Sequence, residues 1–157
     1  MAAARQGLAQ RFAGVQALLP WAKLYPVRFG WSVRQRASEV VFVSGGTEGD
    51  HLAVIGAAWA RRDSGLRVAY AAIEHHAVHG AVDVLEDMGW EHETLACDTD
   101  GCTRPESIDA LPADTTVVSL MYANNETGVL QPVADIARRA HARGMLCQHS
   151  VVGLLLR

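Results

Sequence analysis

Glu39-Val40-Val41-Phe42-Val43-Ser44-Gly45-Gly46-Thr47-Glu48 packs a strand, a tight turn and a helix start into one short stretch. Residues 40–43 form a continuous apolar run of β-branched and aromatic side chains, suited to a strand buried on both faces. Two glycines and Thr47 then break the run, and Leu52, Ile55 and Trp59 recur at helical spacing.

Working outward, the same unit repeats. Residues 66–73 predict a second strand, and Val78, Val82, Leu85 and Met88 mark one face of a helix that stops near Gly89. Residues 90–97 make a weaker strand, and Pro105 opens a short helix that ends before Pro112. Residues 117–122 form another apolar strand, followed by a polar turn to Gly128. A helix from Pro132 then carries Val133, Ile136, Ala137 and Ala140 on one face, Gly144 ends it, and residues 145–147 begin one more strand. Strands alternating with helices predict an α/β fold: a mostly parallel sheet flanked by helices.

Composition sets the outer limits. The 157 residues are 50% hydrophobic and 20% charged, and a chain this long buries roughly 68–70% of its unfolded surface, enough for one core without disulfides. No apolar run reaches the 18 or so residues of a membrane helix. Cys97, Cys102 and Cys147 are odd in number and at no metal-finger spacing, which fits a reducing compartment; a cytoplasmic location is expected. The net charge of −3 conceals a split, with +6 over residues 1–38, which hold no acidic residue, and −9 over the rest. An acidic main body offers no clustered Lys and Arg for a phosphate backbone, so neither nucleic acid nor membrane is an expected partner. The basic first segment, with Leu8, Phe12, Val15 and Leu19 ending at Pro20, reads as a docking helix and loop anchored by Trp21, Tyr25, Phe29 and Trp31. An organelle transit peptide is the minor alternative, weakened because the first Ser is Ser32. The expected organisation is 1–38 as a separate basic segment, 39–147 as the folded domain and 148–157 as a divergent tail.

Ligands of parallel sheets bind at the carboxyl ends of the strands. Three polar turns are predicted there: 44–48, 74–76 and 124–128. Gly45, Gly46 and Thr47 leave backbone amides close to a ligand at a helix start and form an anion cradle, against the plainer reading of Ser44 or Thr47 as an N-cap. No Lys follows at the spacing of a nucleotide loop, which disfavours a nucleoside triphosphatase. His75 or His76 can stack on a planar ligand or shuttle protons. A competing reading makes His75 and His79 metal ligands, joined by His76 or His92; a solvated helix start is the plain one. Asn124, Asn125 and Glu126 either hydrogen-bond a ring substituent or close the turn on its own backbone.

Taken together, Val41-Phe42-Val43-Ser44-Gly45-Gly46-Thr47-Glu48, Glu74-His75-His76-Ala77-Val78 and Asn124-Asn125-Glu126-Thr127-Gly128-Val129 through Pro132 resemble the cysteine desulfurases. These are class V members of the fold-type I transferases that use pyridoxal 5'-phosphate. The resemblance runs from about Ser38 to Gly144 and implies part of the large domain of such an enzyme. It further implies that Gly46 and Thr47 hold the cofactor phosphate, that His75 stacks on the pyridine ring and moves protons as the catalytic residue, and that Asn125 bonds the phenolic oxygen. It implies L-cysteine as substrate, alanine and a persulfide for iron-sulfur or thio-cofactor synthesis as products, a homodimer, and a sulfur-acceptor protein as partner. Selenocysteine lyase or another class V enzyme is the alternative within the group, and a non-catalytic fragment that binds a phosphate ligand is the alternative outside it.

The sequence departs from the family pattern in several places. Where the family carries His-x-Asp-Ala-x-Gln, this chain reads Cys147-Gln148-His149-Ser150-Val151-Val152, without the Asp that pairs with the pyridine nitrogen. The single lysine, Lys23, precedes the first motif rather than following the last, and the three cysteines precede the place of the sulfur-accepting one. His51 stands where Asn is common, and the Asn-Ala-Ala and Gly-Asn-Pro-Ser segments upstream are not visible. The chain is therefore expected to be inactive or nearly so, and to be an internal piece of a desulfurase gene bounded by unrelated or misframed sequence. Translating the flanking DNA in the other two frames is expected to restore an Asp-containing motif after Gly144; if neither frame does so, a reading-frame break loses its support.

Overall fold

The computed structural model describes residues 41–150. The chain divides into two units, Met1–Ser44 and Gly45–Arg157. In the first, the described residues are 41–44. Val41, Phe42 and Val43 are 50%, 48% and 40% exposed and form no strand. This corrects the reading of residues 40–43, Val40 itself lying outside the described residues. An apolar run becomes a strand only when a neighbour takes up its backbone donors and acceptors, and no described strand pairs with it. The predicted basic helix and the end of the divergent tail also lie outside the described residues.

In the second unit the elements are helix α1 (Gly46–Arg61), strand β1 (Arg67–Ala71), helix α2 (His76–Asp87), strand β2 (Glu91–Leu95), a 3-10 helix (Pro105–Ala110), strand β3 (Thr115–Ser119), helix α3 (Val133–Ala142) and strand β4 (Leu146–Gln148). The four strands are parallel, in the order β2-β1-β3-β4. The expected α/β architecture is present. Pro105 opens the 3-10 helix where its missing N–H costs nothing. β3 begins earlier than the apolar run suggests, because the buried β-branched Thr115 and Thr116 extend it; Thr116 Oγ1 also donates to Arg67 O at 3.1 Å.

The central strands β1 and β3 are buried on both faces, and their period of two divides the core. Val68, Tyr70 and Val117 pack with Val54 of α1 and with Val78 and Leu85 of α2. Ala69, Ala71 and Val118 face the other way, onto Ile108 of the 3-10 helix and Ile136 and Ala140 of α3. Helices therefore cover both faces of the sheet.

Two helices end in the same cap and feed the next strand. After α2, Gly89 N donates to Glu86 O at 2.8 Å and Trp90 N to Leu85 O at 3.0 Å; after α3, Gly144 N donates to His141 O and Met145 N to Ala140 O, both at 3.0 Å. These paired bonds need a left-handed residue, and Gly89 and Gly144 supply it with φ of +88° and +78°. The next residue in each case, Trp90 or Met145, is buried and anchors the turn.

Gly65, between α1 and β1, is required for a different reason: a Cβ there would lie 2.0 Å from the carbonyl oxygen of Asp114. Gly65→Ala is expected to destabilise the fold by about 1–3 kcal/mol, the usual cost of forced overpacking. Urea unfolding of the two proteins measures this, and equal midpoints would contradict the close approach.

Candidate functional site

The strand order reverses between β1 and β3. From β1 the chain crosses α2 to β2 on one side; it returns to β3 on the other side and continues outward to β4. The turns that leave β1 and β3 therefore diverge and open a crevice at the carboxyl edge. Two bonds tie them together: Asn124 Nδ2 donates to Ile73 O at 3.1 Å, and Ser119 Oγ lies 2.8 Å from Glu74 Oε1.

The first turn arrives by another route than expected. With no strand before it among the described residues, it is placed by α1, which packs on α2 closely enough that His51 Nε2 would be 3.4 Å from a Cβ on Gly80. One turn into α1, Asp50 lies within electrostatic range of His75 and Glu74. The 74–76 and 124–128 turns thus meet at one edge of the sheet, with Asp50 of α1 near the first of them. Gly46 and Thr47 are exposed in the first turn of α1, whose N-cap is Gly45 with no side-chain cap. The N-cap residue is thus Gly45 rather than Ser44 or Thr47. Backbone amides at the positive end of a sixteen-residue helix suit an anion.

His75 is the N-cap of α2, its Nδ1 accepting from Ala77 N at 3.1 Å. Its half-buried ring has the His76 ring on one side, centroids 3.8 Å apart and tilted by 38°. His79 is turned away from a ligand role: its Nε2 donates to Glu74 O at 3.2 Å, and its ring meets Tyr70 edge-on at 5.0 Å. His92 Nδ1 lies 2.8 Å from Glu86 Oε1. The competing metal reading of His75 and His79 with His76 or His92 is therefore corrected, since the described residues bring no three such groups together.

The two asparagines divide the roles between which the sequence left a choice. Asn124 closes the turn: its Oδ1 accepts from Glu126 N at 3.0 Å, Thr127 N at 2.8 Å and Thr127 Oγ1 at 3.1 Å. Asn125 is exposed beside it at the tip of this turn, and its side chain bonds none of the described residues.

Two buried acids behind the crevice escape sequence reasoning. Asp50 is 4% and Glu74 7% exposed. Burial pushes both carboxyl groups above the usual range; nearby His75 and His51 partly offset this for Asp50, and the Asp50 charge adds to it for Glu74. Glu74 Oε2 accepts from His75 N at 3.2 Å, and Ser119 Oγ also lies 2.6 Å from Gln148 Oε1. A hydroxyl has one proton to give. When Glu74 is protonated it donates to Ser119, which donates to Gln148. When Glu74 is ionised Ser119 donates to it, and the Gln148 amide must turn its NH2 inward. Each state has a complete network, which a search for apolar periodicity could not find. Cys147 is half-buried and its thiol is pushed up to about 11 by burial, so it stays protonated near neutrality.

These groups fit the noncovalent half of a pyridoxal-phosphate site: a helix start for the phosphate, an imidazole face for the ring and an exposed amide for the phenolic oxygen. The described residues contain no lysine. Comparisons with known proteins show what the chain resembles. The cysteine desulfurase IscS of Methanosarcina thermophila is 41% identical over 104 residues, covering 66% of this chain and 26% of that protein. The one from Anaeromyxobacter sp. (strain Fw109-5) is 42% identical over 111 residues, covering 70% and 28%. The chain thus spans about a quarter of the length of these relatives. Among solved structures, DndA from Streptomyces lividans superposes with a TM-score of 0.70 at 30% identity, covering 94% of this chain and 39% of that one. SspA in complex with cysteine gives 0.67 at 27% identity, covering 73% and 33%. The family description "Aminotransferase class-V" matches residues 32–149, and with most of its length inside that match the chain belongs to this family.

Proposed function

We propose that this chain carries the phosphate- and ring-holding part of a cysteine desulfurase site and binds pyridoxal 5'-phosphate without a covalent link. The observation that supports the reading is that the first turns of α1 bring Asp50 within electrostatic range of His75, while Asn124, beside Asn125, bonds Ile73 O at the end of β1. The amides of Gly46 and Thr47, with the Thr47 hydroxyl, hold the phosphate; His75 offers its free face to the pyridine ring; Asn125 donates to the phenolic oxygen. The cofactor supplies an electron sink for cleaving the carbon–sulfur bond of L-cysteine. This chain's own residues bind and orient. No lysine is present among the described residues to anchor the cofactor, and Cys147 is a protonated, half-buried thiol rather than a sulfur acceptor. Turnover of the isolated chain is accordingly absent or very low. A homodimer and a sulfur-acceptor partner in the cytoplasm complete the proposal.

Titration with pyridoxal 5'-phosphate, followed by absorbance and by competition with inorganic phosphate, tests the reading. Saturable binding that phosphate displaces is expected; no binding at millimolar cofactor would refute it. Incubation with cofactor and cysteine is expected to yield no sulfide or alanine above the blank, and turnover comparable to a full-length desulfurase would contradict the proposal. Thr47→Val is expected to weaken binding about tenfold, the loss of one hydrogen bond to a charged group.

The asparagines separate binding from folding. Asn125→Ala should weaken the cofactor while changing stability by no more than about 0.5 kcal/mol. Asn124→Ala should cost about 1–3 kcal/mol in urea unfolding, because it strands the amides and the carbonyl that it now satisfies.

The buried acids set a pH dependence of stability. A carboxyl whose folded pKa is raised favours folding fully below its unfolded value, near 4.5 for Glu74, and loses that contribution as pH rises through the folded value. The contribution of Glu74 to stability should therefore fall as pH rises above about 4.5. Glu74→Gln should flatten that fall. Superimposable profiles of urea midpoint against pH would show that Glu74 ionises as easily in the fold as outside it.

A further inference from the structure

The proton of the neutral His75 ring can be placed from heavy atoms. A backbone amide can only donate, so the 3.1 Å contact from Ala77 N requires a lone pair on His75 Nδ1. The ring proton then sits on Nε2, which bonds none of the described residues. We propose that the N-cap of α2 locks His75 as the Nε2–H tautomer, so that it meets a bound ligand as a hydrogen-bond donor, with the Ala77 amide as the positioning group. This rests on His75 lying in the site proposed above, and it narrows what the ligand presents there: an acceptor atom, such as a carboxylate or phenolate oxygen.

The lock separates two uses of one ring. Capped, His75 has its lone pair engaged and its N–H outward. To accept a proton at Nε2 it must first carry its own at Nδ1, and that requires letting go of Ala77 N. Donor and base are therefore alternative states joined by breaking one 3.1 Å bond. The surrounding groups act on both. Asp50 and His51 approach from α1, Glu74 precedes the ring and accepts from its backbone N–H, the His76 ring lies 3.8 Å away, and His79 on the next turn is itself held as an Nε2–H donor by Glu74 O.

The tautomer can be read directly in the 15N-labelled 157-residue chain, without cofactor, by two-bond proton–nitrogen correlation at a pH where the ring is neutral. His75→Asn, which keeps a capping side chain, assigns the resonances. Wild type is expected to show a pyridine-like Nδ1 and a pyrrole-like Nε2. Ala77→Pro removes the donor at a first-turn position that tolerates proline, and should lower the ratio of Nε2–H to Nδ1–H about fivefold, the worth of one ordinary hydrogen bond. Ala77→Gly, which keeps the amide, should leave the ratio unchanged. A predominantly Nδ1–H ring in wild type, or a ratio indifferent to Ala77→Pro, overturns the proposal; should the proline variant not fold, the wild-type spectrum decides alone. The readout needs no cofactor, so a locked tautomer alongside a failed cofactor titration would sink the functional reading and leave the lock standing.

Discussion

Parallel pairing of β1 with β3, and the divergence of the chain on either side of it, is the constraint on which the site depends. Parallel neighbours cannot be joined by a tight turn, so each strand sends its chain out over a face of the sheet. At the junction where successive crossovers part, the turns leaving β1 and β3 run in opposite directions. The fold ties these turns together with polar bonds: Asn124 to Ile73 O, and Ser119 to Glu74. Apolar packing sets the layers, while hydrogen bonds set the separation of the two turns.

The sequence made the layers legible because its apolar residues keep period. The face of α2 through Val78, Val82 and Leu85 and that of α3 through Ile136 and Ala140 are buried as their spacing requires. Glycine positions were legible for the same physical reason: Gly89 and Gly144 stand where a helix must turn left-handed. The exception was the apolar run ending at Val43. Apolar periodicity reports how suited a segment is to burial, and says nothing of whether a neighbouring strand exists to bond it.

The site was legible in its turns and not in its supports. Glycines, histidines and paired asparagines advertise themselves by type. Which asparagine closes the turn and which is left free depends on backbone geometry, and only the structure separates Asn124 from Asn125. Asp50 and Glu74 were hidden more deeply. A charged residue one turn into a helix, or next to a histidine, reads as solvated. Their burial follows from α1 lying against α2 and from Ser119 and Gln148 arriving from two other strands, facts at long range in sequence.

Asp50 also explains how an acidic unit can hold an anion. It lies in the first turn and a half of α1, inside the positive potential of the helix start that the cradle of Gly46 and Thr47 would use for a phosphate. An ionised Asp50 would occupy that potential and repel the ligand. Burial works against ionisation, and the raised pKa lessens the competition. His75 and His51 pull the other way, because a positive imidazole beside Asp50 restores its charge. The start of α1 and the burial of Asp50 are therefore one electrostatic arrangement: burial that disfavours the charge of the acid leaves more of the field of the helix to a ligand.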